Sequence, residues 1–328
     1  LIHANDRIIA VQNPGDGNPT DILDMKLDKV VSLIRGKKGS VVKLTIIPAG
    51  TDERKVISIT RDVVKLEDQL AKGYIIERKR DGKMEKLGVI NLPGFYDKCS
   101  IHCGKIINRF VKENVDGIVL DLRHNGGGIL QEAIKLTGLF ISKGPVVQVK
   151  DYRGRQKVHK DNDGRISYDG PLVIAVSHMS ASASEIVAAA LQDHGRAIIV
   201  GGKATHGKGT VQQILPLNRS FIAKLTGDSG QLKFTISKFY RINGATTQRD
   251  GVTPDIILPS LLDYIGTSEG DLPRALESDK IDEVDYNSLD QVSAFFTSLR
   301  RASAKRVNSD QDYKYIQQDI QRVKKRKE

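Results

Sequence analysis

Tryptophan is absent from the 328 residues, and aromatic side chains make up only 5% of them. Any core this chain buries must therefore be aliphatic. No apolar run approaches the ~20 residues that a membrane span needs. No secretory signal opens the chain. The first residue is Leu1 rather than Met, inside a stretch patterned like ordered structure. The chain is expected to be a fragment, so the missing signal excludes no compartment. A basic stripe interleaved with aromatics is also missing, which argues against nucleic acid as a partner.

The net charge is +11, and much of it sits in local runs such as Arg35-Gly36-Lys37-Lys38 and Lys324-Lys325-Arg326-Lys327. Solvated faces account for such runs; an anionic membrane or an acidic substrate is the functional alternative. The two cysteines, Cys99 and Cys103, would share one face of a helix with His102 nearby. No second Cys/His pair completes a four-ligand site, so no metal is expected. Free thiols and a local disulfide both remain open.

What is present is 39% hydrophobic residues, enough for a sizeable core. The length suggests two domains, or one large domain with appendages. Arg7–Val11 reads as a strand, and Asn13–Pro19 as a turn-rich loop. Leu27, Val30, Val31 and Ile34 recur at helical spacing, with Gly36 as the stop. Val41–Ile47 and Val56–Thr60 read as further strands, closing a β-rich module over 1–60.

From about Leu87, strands and helices alternate. Strands are expected at Val89–Leu92, Gly117–Leu122, Pro171–Val176 and Ala197–Val200. Helices are expected at 100–113, 130–141 and 184–192. This alternation predicts an α/β core over 61–260 with largely parallel strands. Thr210–Pro216 and a stretch with alternating Leu232, Phe234 and Ile236 read as later strands, and Asn243-Gly244 as a hairpin turn. Beyond Pro259, over 261–328, charge rises and glycine falls, and the tail reads as helical and peripheral.

Three turns lie at the ends of predicted strands: Arg123–Gly128, Ser180–Glu185 and Thr205–Gln212. Ligands of open α/β sheets collect at the carboxyl ends of strands, so these turns can converge on one site. Ser182-Ala-Ser-Glu185 fits a capping box, and Ser180 and Ser184 compete for the cap. At the same place a nucleophile would gain the helix N-terminus as a site for a developing oxyanion. Its base could be His178, His194 or His206 with Asp193 behind it, although no Gly-x-Ser-x-Gly elbow is present. Lys208 is the other candidate. It sits between Gly207 and Gly209, and works as a base only if burial or a positive neighbour keeps it neutral. Gln212 could orient its amine. Gly202–Lys208 also matches Gly-x-x-x-x-Gly-Lys, but Gly209 replaces the magnesium-binding Ser or Thr and a strand follows, against nucleotide binding. Asn125–Gly128 exposes backbone N–H groups, as either an oxyanion hole or a tight turn.

Taken in order, Leu27–Gly36, Pro93–Tyr96, Asp121–Gly128, Ser180–Glu185, Gly207–Gln212 and Phe239–Asp255 resemble the tail-specific proteases, or C-terminal processing peptidases. The resemblance spans roughly residues 1–260. It implies a crotonase/Clp-protease-like ββα core, an N-terminal PDZ-like β-rich domain truncated at its start, and a helical C-terminal tail. It implies a serine endopeptidase with Ser182 as nucleophile, Lys208 as general base and Gln212 positioning that base. It implies backbone N–H groups of Ala183 and Gly127 as the oxyanion hole, with Gly128, Glu185, Asp193 and Thr205 in support. No cofactor is implied. Expected partners are proteins or peptides with apolar C-termini, an adaptor protein, and a membrane surface for the full-length protein. The expected compartment is the bacterial periplasm. A non-catalytic peptide-binding scaffold and a Ser-His-Asp hydrolase are the alternatives.

Overall fold

Alternating apolar and polar side chains build the first part of the chain. In the computed structural model, which describes residues 2–63, 69–80, 82–217, 230–266 and 268–327, two compact units are present, Leu1–Glu67 and Asp68–Glu328. The first unit holds β1 (Arg7–Gln12), β2 (Thr20–Asp21), α1 (Leu27–Ile34), β3 (Val41–Ile47) and β4 (Lys55–Thr60). Its antiparallel sheet has the order β2-β1-β3-β4. Val42, Leu44 and Ile46 point inward from β3, and Val30, Leu33 and Ile34 of α1 pack on them. α1 ends where Arg61 donates to Ile34 O at 2.8 Å, satisfying a terminal carbonyl.

The second unit is centred on a six-stranded sheet. Its strands are β5 (Lys72–Arg80), β6 (Lys83–Asn91), β7 (Gly117–Asp121), β10 (Leu172–Val176), β11 (Ile198–Gly201) and β14 (Ile256–Ile257). The order is β14-β11-β10-β7-β6-β5. Every pair from β6 to β14 is parallel, and β5 pairs with β6 antiparallel. Near-continuous apolar runs such as Leu172–Val176 suit strands covered on both faces. α2 (Cys99–Lys112), α3 (Leu130–Gly138) and α4 (Ala183–Asp193) supply much of the cover. A second antiparallel sheet follows the order β12-β13-β8-β9, from β8 (Gly144–Asp151), β9 (Gln156–Asp161), β12 (Thr210–Pro216) and β13 (Gln231–Tyr240).

The α/β class and the largely parallel strands are as expected, and the fold adds to them. β5 and β9 are rich in charged side chains with much of their length exposed. β8 is a short, largely buried run, Pro145–Val149, interrupted by Gln148, so a clean hydrophobic alternation marks none of the three. Pairing with a neighbour makes them strands. The C-terminal segment contains α5 (Phe296–Ser309) and α6 (Gln311–Lys327). It is less peripheral than expected, because Phe296 and Leu299 pack on buried Ile198, Ile256 and Val292 at the β11/β14 side of the sheet. Cys99 and Cys103 are free and buried in α2. Burial pushes the Cys99 thiol up to about 12 and raises that of Cys103 as well, which makes both inert. Among the described residues, no helix is long and apolar enough to cross a membrane.

Candidate active site

β7, β10 and β11 are adjacent and parallel, so the turns that follow them emerge at one edge of the sheet. Hydrogen bonds then stitch these turns together. Ala181 N and Ser184 Oγ both donate to Asn125 O, at 3.1 and 2.8 Å. Ser180 Oγ donates to Leu122 O at 2.7 Å, and Ser177 Oγ donates to Arg123 O. His206 N donates to Ser180 O at 3.0 Å. The three segments singled out in the sequence thus form one cluster.

The rivalry among the serines is resolved by burial. Ser180 and Ser184 are fully buried and their hydroxyls are committed to carbonyls. Ser182 is half-buried and stands at the N-terminus of α4. Its backbone has φ 56° and ψ −111°, in the left-handed half of the map. A non-glycine residue there is strained, and such strain persists only where the surroundings enforce it. Gly127 is one of those surroundings. A Cβ on it would lie 2.8 Å from Ala181 O and 2.8 Å from Ser182 Cβ, so only glycine permits this approach.

Glu185 is the hub of the cluster. Its fully buried carboxylate accepts four hydrogen bonds: Ser182 N at 2.7 Å, Lys208 N at 3.0 Å, Gly207 N at 2.8 Å and Thr205 Oγ1 at 2.6 Å. Burial pushes its carboxyl up to about 7 against these donors. The bond to Ser182 N is half of the predicted capping box. The bonds to Gly207 and Lys208 were not legible, because they join residues more than twenty positions apart. Thr205 Oγ1 also accepts Val252 N at 2.7 Å.

Lys208 is half-buried, and its Nζ donates to Gln212 Oε1 at 3.1 Å. Burial lowers its pKa from the ordinary lysine value, and Lys233 adds to that; Glu269 and Glu185 oppose it. Among the described residues, no hydrogen bond joins Lys208 Nζ to Ser182 Oγ. Gly207, at φ +91°, lies so close to Arg249 O that a Cβ would be 2.6 Å from it, which explains the glycine preceding the lysine.

Two expectations need adjustment. Gly127 N–H is donated to Asn125 Oδ1 at 2.9 Å, so it is already committed. Ala183 N–H and Gly128 N–H have no acceptor among the described residues. Asp193 lies at the far end of α4, roughly 16 Å along the helix from Ser182. It pairs with Arg241 at 2.5 Å and accepts Asn243 Nδ2 at 2.9 Å, so it anchors the hairpin after β13 rather than the cluster. The histidine alternatives find no geometry. His194 Nε2 bonds Pro145 O at 2.8 Å, and no histidine is hydrogen-bonded to Ser182 among the described residues. His178 and His206 have buried Nδ1 atoms without a partner. No group of three potential ligands is placed to hold a metal among the described residues.

Asn125 is expected from the sequence only as the start of the glycine turn, and the structure gives its side chain a part of its own. It is fully buried, and besides the bonds above its Nδ2 donates to Leu92 O at 2.9 Å, joining the β6 end to the cluster. An asparagine opening a glycine run was the available signal.

Comparison with known proteins agrees with this geometry. Residues 86–258 match the model for peptidase family S41, and residues 262–328 match the C-terminal domain of tail specific protease. The tail-specific protease of Haemophilus influenzae is 38% identical over 323 residues, covering 97% of this chain and 45% of that protein. The carboxyl-terminal-processing protease of Picosynechococcus is 33% identical, covering 79% of this chain and 57% of that protein. The chain thus spans about half the length of the curated relatives it matches. Among solved structures, the photosystem II D1 C-terminal processing protease aligns at 26% identity and a TM-score of 0.51. It covers 78% of this chain and 64% of that one.

Proposed function

The chain belongs to peptidase family S41, and from that premise we propose that it is a serine endopeptidase in which Ser182 and Lys208 cut proteins presenting apolar C-terminal tails. The observation that carries this reading is the Glu185 carboxylate, which takes the N–H groups of both Ser182 and Lys208 and ties the nucleophile turn to the base turn. The strained Ser182 backbone and the lowered Lys208 pKa support it.

In this reading neutral Lys208 Nζ takes the Ser182 proton, and Oγ attacks the scissile carbonyl. The oxyanion rests on Ala183 N–H and on the glycine turn. Gly127 serves there by releasing Asn125, or Gly128 serves with its open N–H. Lys208 hands its proton to the leaving amine, and water then hydrolyses the acyl-enzyme with Lys208 again as base. The missing Ser182–Lys208 hydrogen bond means that substrate must draw Nζ from Gln212 toward Oγ. Such bonds often tighten only in the substrate complex.

Residues 1–60 are read as a PDZ-like recruiting domain that adds a tail as a strand to its sheet edge. Residues 61–260 are read as the cutting core and 261–328 as its support. The site is assigned to the bacterial periplasm or another extracytoplasmic space on family resemblance, and cell fractionation tests it. An adaptor protein and peripheral membrane association of the full-length protein complete the reading; co-purification and membrane flotation test them.

The deciding experiment incubates an unfolded reporter ending in an apolar tail with the wild type, Ser182→Ala and Lys208→Ala. Cleavage by the wild type alone is expected. Cleavage by either variant overturns the dyad. Tail binding without cleavage by the wild type favours a peptide-binding scaffold.

A further inference from the structure

The turn from Gly202 to Gly209 carries Lys208, and Glu185 grips only its inner side. Its outer side is held by a segment more than fifty residues later. Asp263 lies in a one-turn 3₁₀ helix, Leu261–Tyr264. Its Oδ2 accepts Lys203 N at 3.1 Å, and it packs so closely that a Cβ on Gly202 would be 2.4 Å from Oδ1. Tyr264 takes the Lys203 ammonium over its ring at 4.5 Å and Lys324 of α6 at 5.0 Å. Glu269 opens a second such turn, Glu269–Asp271. Its N–H donates to His206 O at 2.9 Å. Its Oε1 accepts Gln248 Nε2 at 3.1 Å, and the fully buried Gln248 accepts Gly209 N at 2.9 Å.

Lys208 is therefore bracketed. Two backbone positions of its turn, Lys203 and His206, are tied directly to the later segment, and Gly209 is tied through Gln248. None of these bonds touches the reacting atoms. All of them limit how far the turn can move, and an ångström of misplacement in a catalytic group costs about a hundredfold in rate.

We propose that Glu269 and Asp263 are positioning residues for Lys208, and that the segment matching the C-terminal domain of tail specific protease is an outer clamp on the base-bearing turn. This rests on the Ser182–Lys208 reading. The clamp also touches the base electrostatically. The charged groups facing Lys208 are Glu185 from α4, Lys233 from β13, Glu269 from the clamp and His206 on its own turn. Removing the Glu269 charge makes protonated Lys208 less favourable, so the neutral base persists to lower pH.

The test uses the full chain and the unfolded reporter with an apolar tail. Glu269→Ala is expected to lower kcat about tenfold or more with KM nearly unchanged. Glu269→Gln keeps an acceptor for Gln248 and loses the charge. It is expected to restore kcat and to move the rising limb of the pH–kcat profile to lower pH than in the wild type. Wild-type kcat in Glu269→Ala overturns the proposal. So does a Glu269→Gln limb at or above the wild-type pH, and this near-isosteric variant decides the matter if Glu269→Ala fails to fold. If Lys208→Ala is inactive while Glu269→Ala is unimpaired, the clamp alone falls. If Lys208→Ala is active, the dyad beneath it falls.

Discussion

Gln212 and Lys208 are joined side chain to side chain, the amine donating to Gln212 Oε1 at 3.1 Å. The β12–β13 ladder shifts register between Val211 and Gln212. Such a bulge bends the strand and re-aims the residue beside it. Gln212 is thereby an anchor for the amine at the strand that leaves the cluster. Gln212→Ala removes the anchor and leaves the base itself in place. It is expected to lower kcat about tenfold with little change in KM, measured by steady-state cleavage of the tailed reporter. Unchanged kcat would assign Gln212 to the strand alone.

The lowered pKa of Lys208 has a definite sign in a rate profile. In the proposed mechanism Lys208 works as base only when neutral, so activity is low at acid pH and rises as the pH passes the Lys208 pKa. Burial and Lys233 place that rise below the ordinary lysine value of about 10.4. Lys233→Ala removes a positive neighbour and eases protonation. Its rising limb is expected at higher pH than in the wild type, read from kcat/KM across a pH series. A shift to lower pH would contradict the assignment.

Gly127 is predicted to tolerate no side chain. Gly127→Ala puts a methyl 2.8 Å from both Ala181 O and Ser182 Cβ, at a φ of +102°. Its loss of activity should be about a hundredfold or more, because the nucleophile itself is pushed. Circular dichroism should show a folded chain with a lowered Tm. Full activity would mean that the two turns part freely.

Asp193 should behave differently from the cluster residues. Asp193 and Arg241 form a largely buried ion pair, with side chains 5% and 15% exposed. Asp193→Ala leaves the guanidinium unpaired, and breaking a buried pair costs about 3–5 kcal/mol. Thermal unfolding should show the loss, while kcat per active-site-titrated molecule stays near wild type. A selective loss of kcat would make Asp193 a support of the site, as the resemblance implies.

Local chemistry made much of this legible. The β1, β3 and β4 strands and α1 follow from period-two and period-3.6 patterns that one face of each element must bury. The apolar strands β7, β10 and β11 are legible for a different reason, as short continuous apolar runs that suit burial on both faces. Ser182 as a helix start is also local, because unpaired N–H groups attract Ser-x-x-Glu. β5 and β9 were not legible, since their polar sequences become strands only when a partner supplies hydrogen bonds, and β8 is too short an apolar run to declare itself without one.

By itself the sequence determined the helices and apolar strands that flank the site, the three turns at strand ends, and the residue types that chemistry needs in them. Only the tertiary structure decided which residues share a carboxylate, which serine keeps a half-exposed hydroxyl, and which glycine has its N–H taken. It also decided that Asp193 serves a hairpin and that Glu269 reaches the lysine turn. The physical reason is range. Periodicity, capping and turn preference act over a few residues, whereas Glu185, Asn125 and Glu269 act on groups brought close only by parallel strands packing side by side.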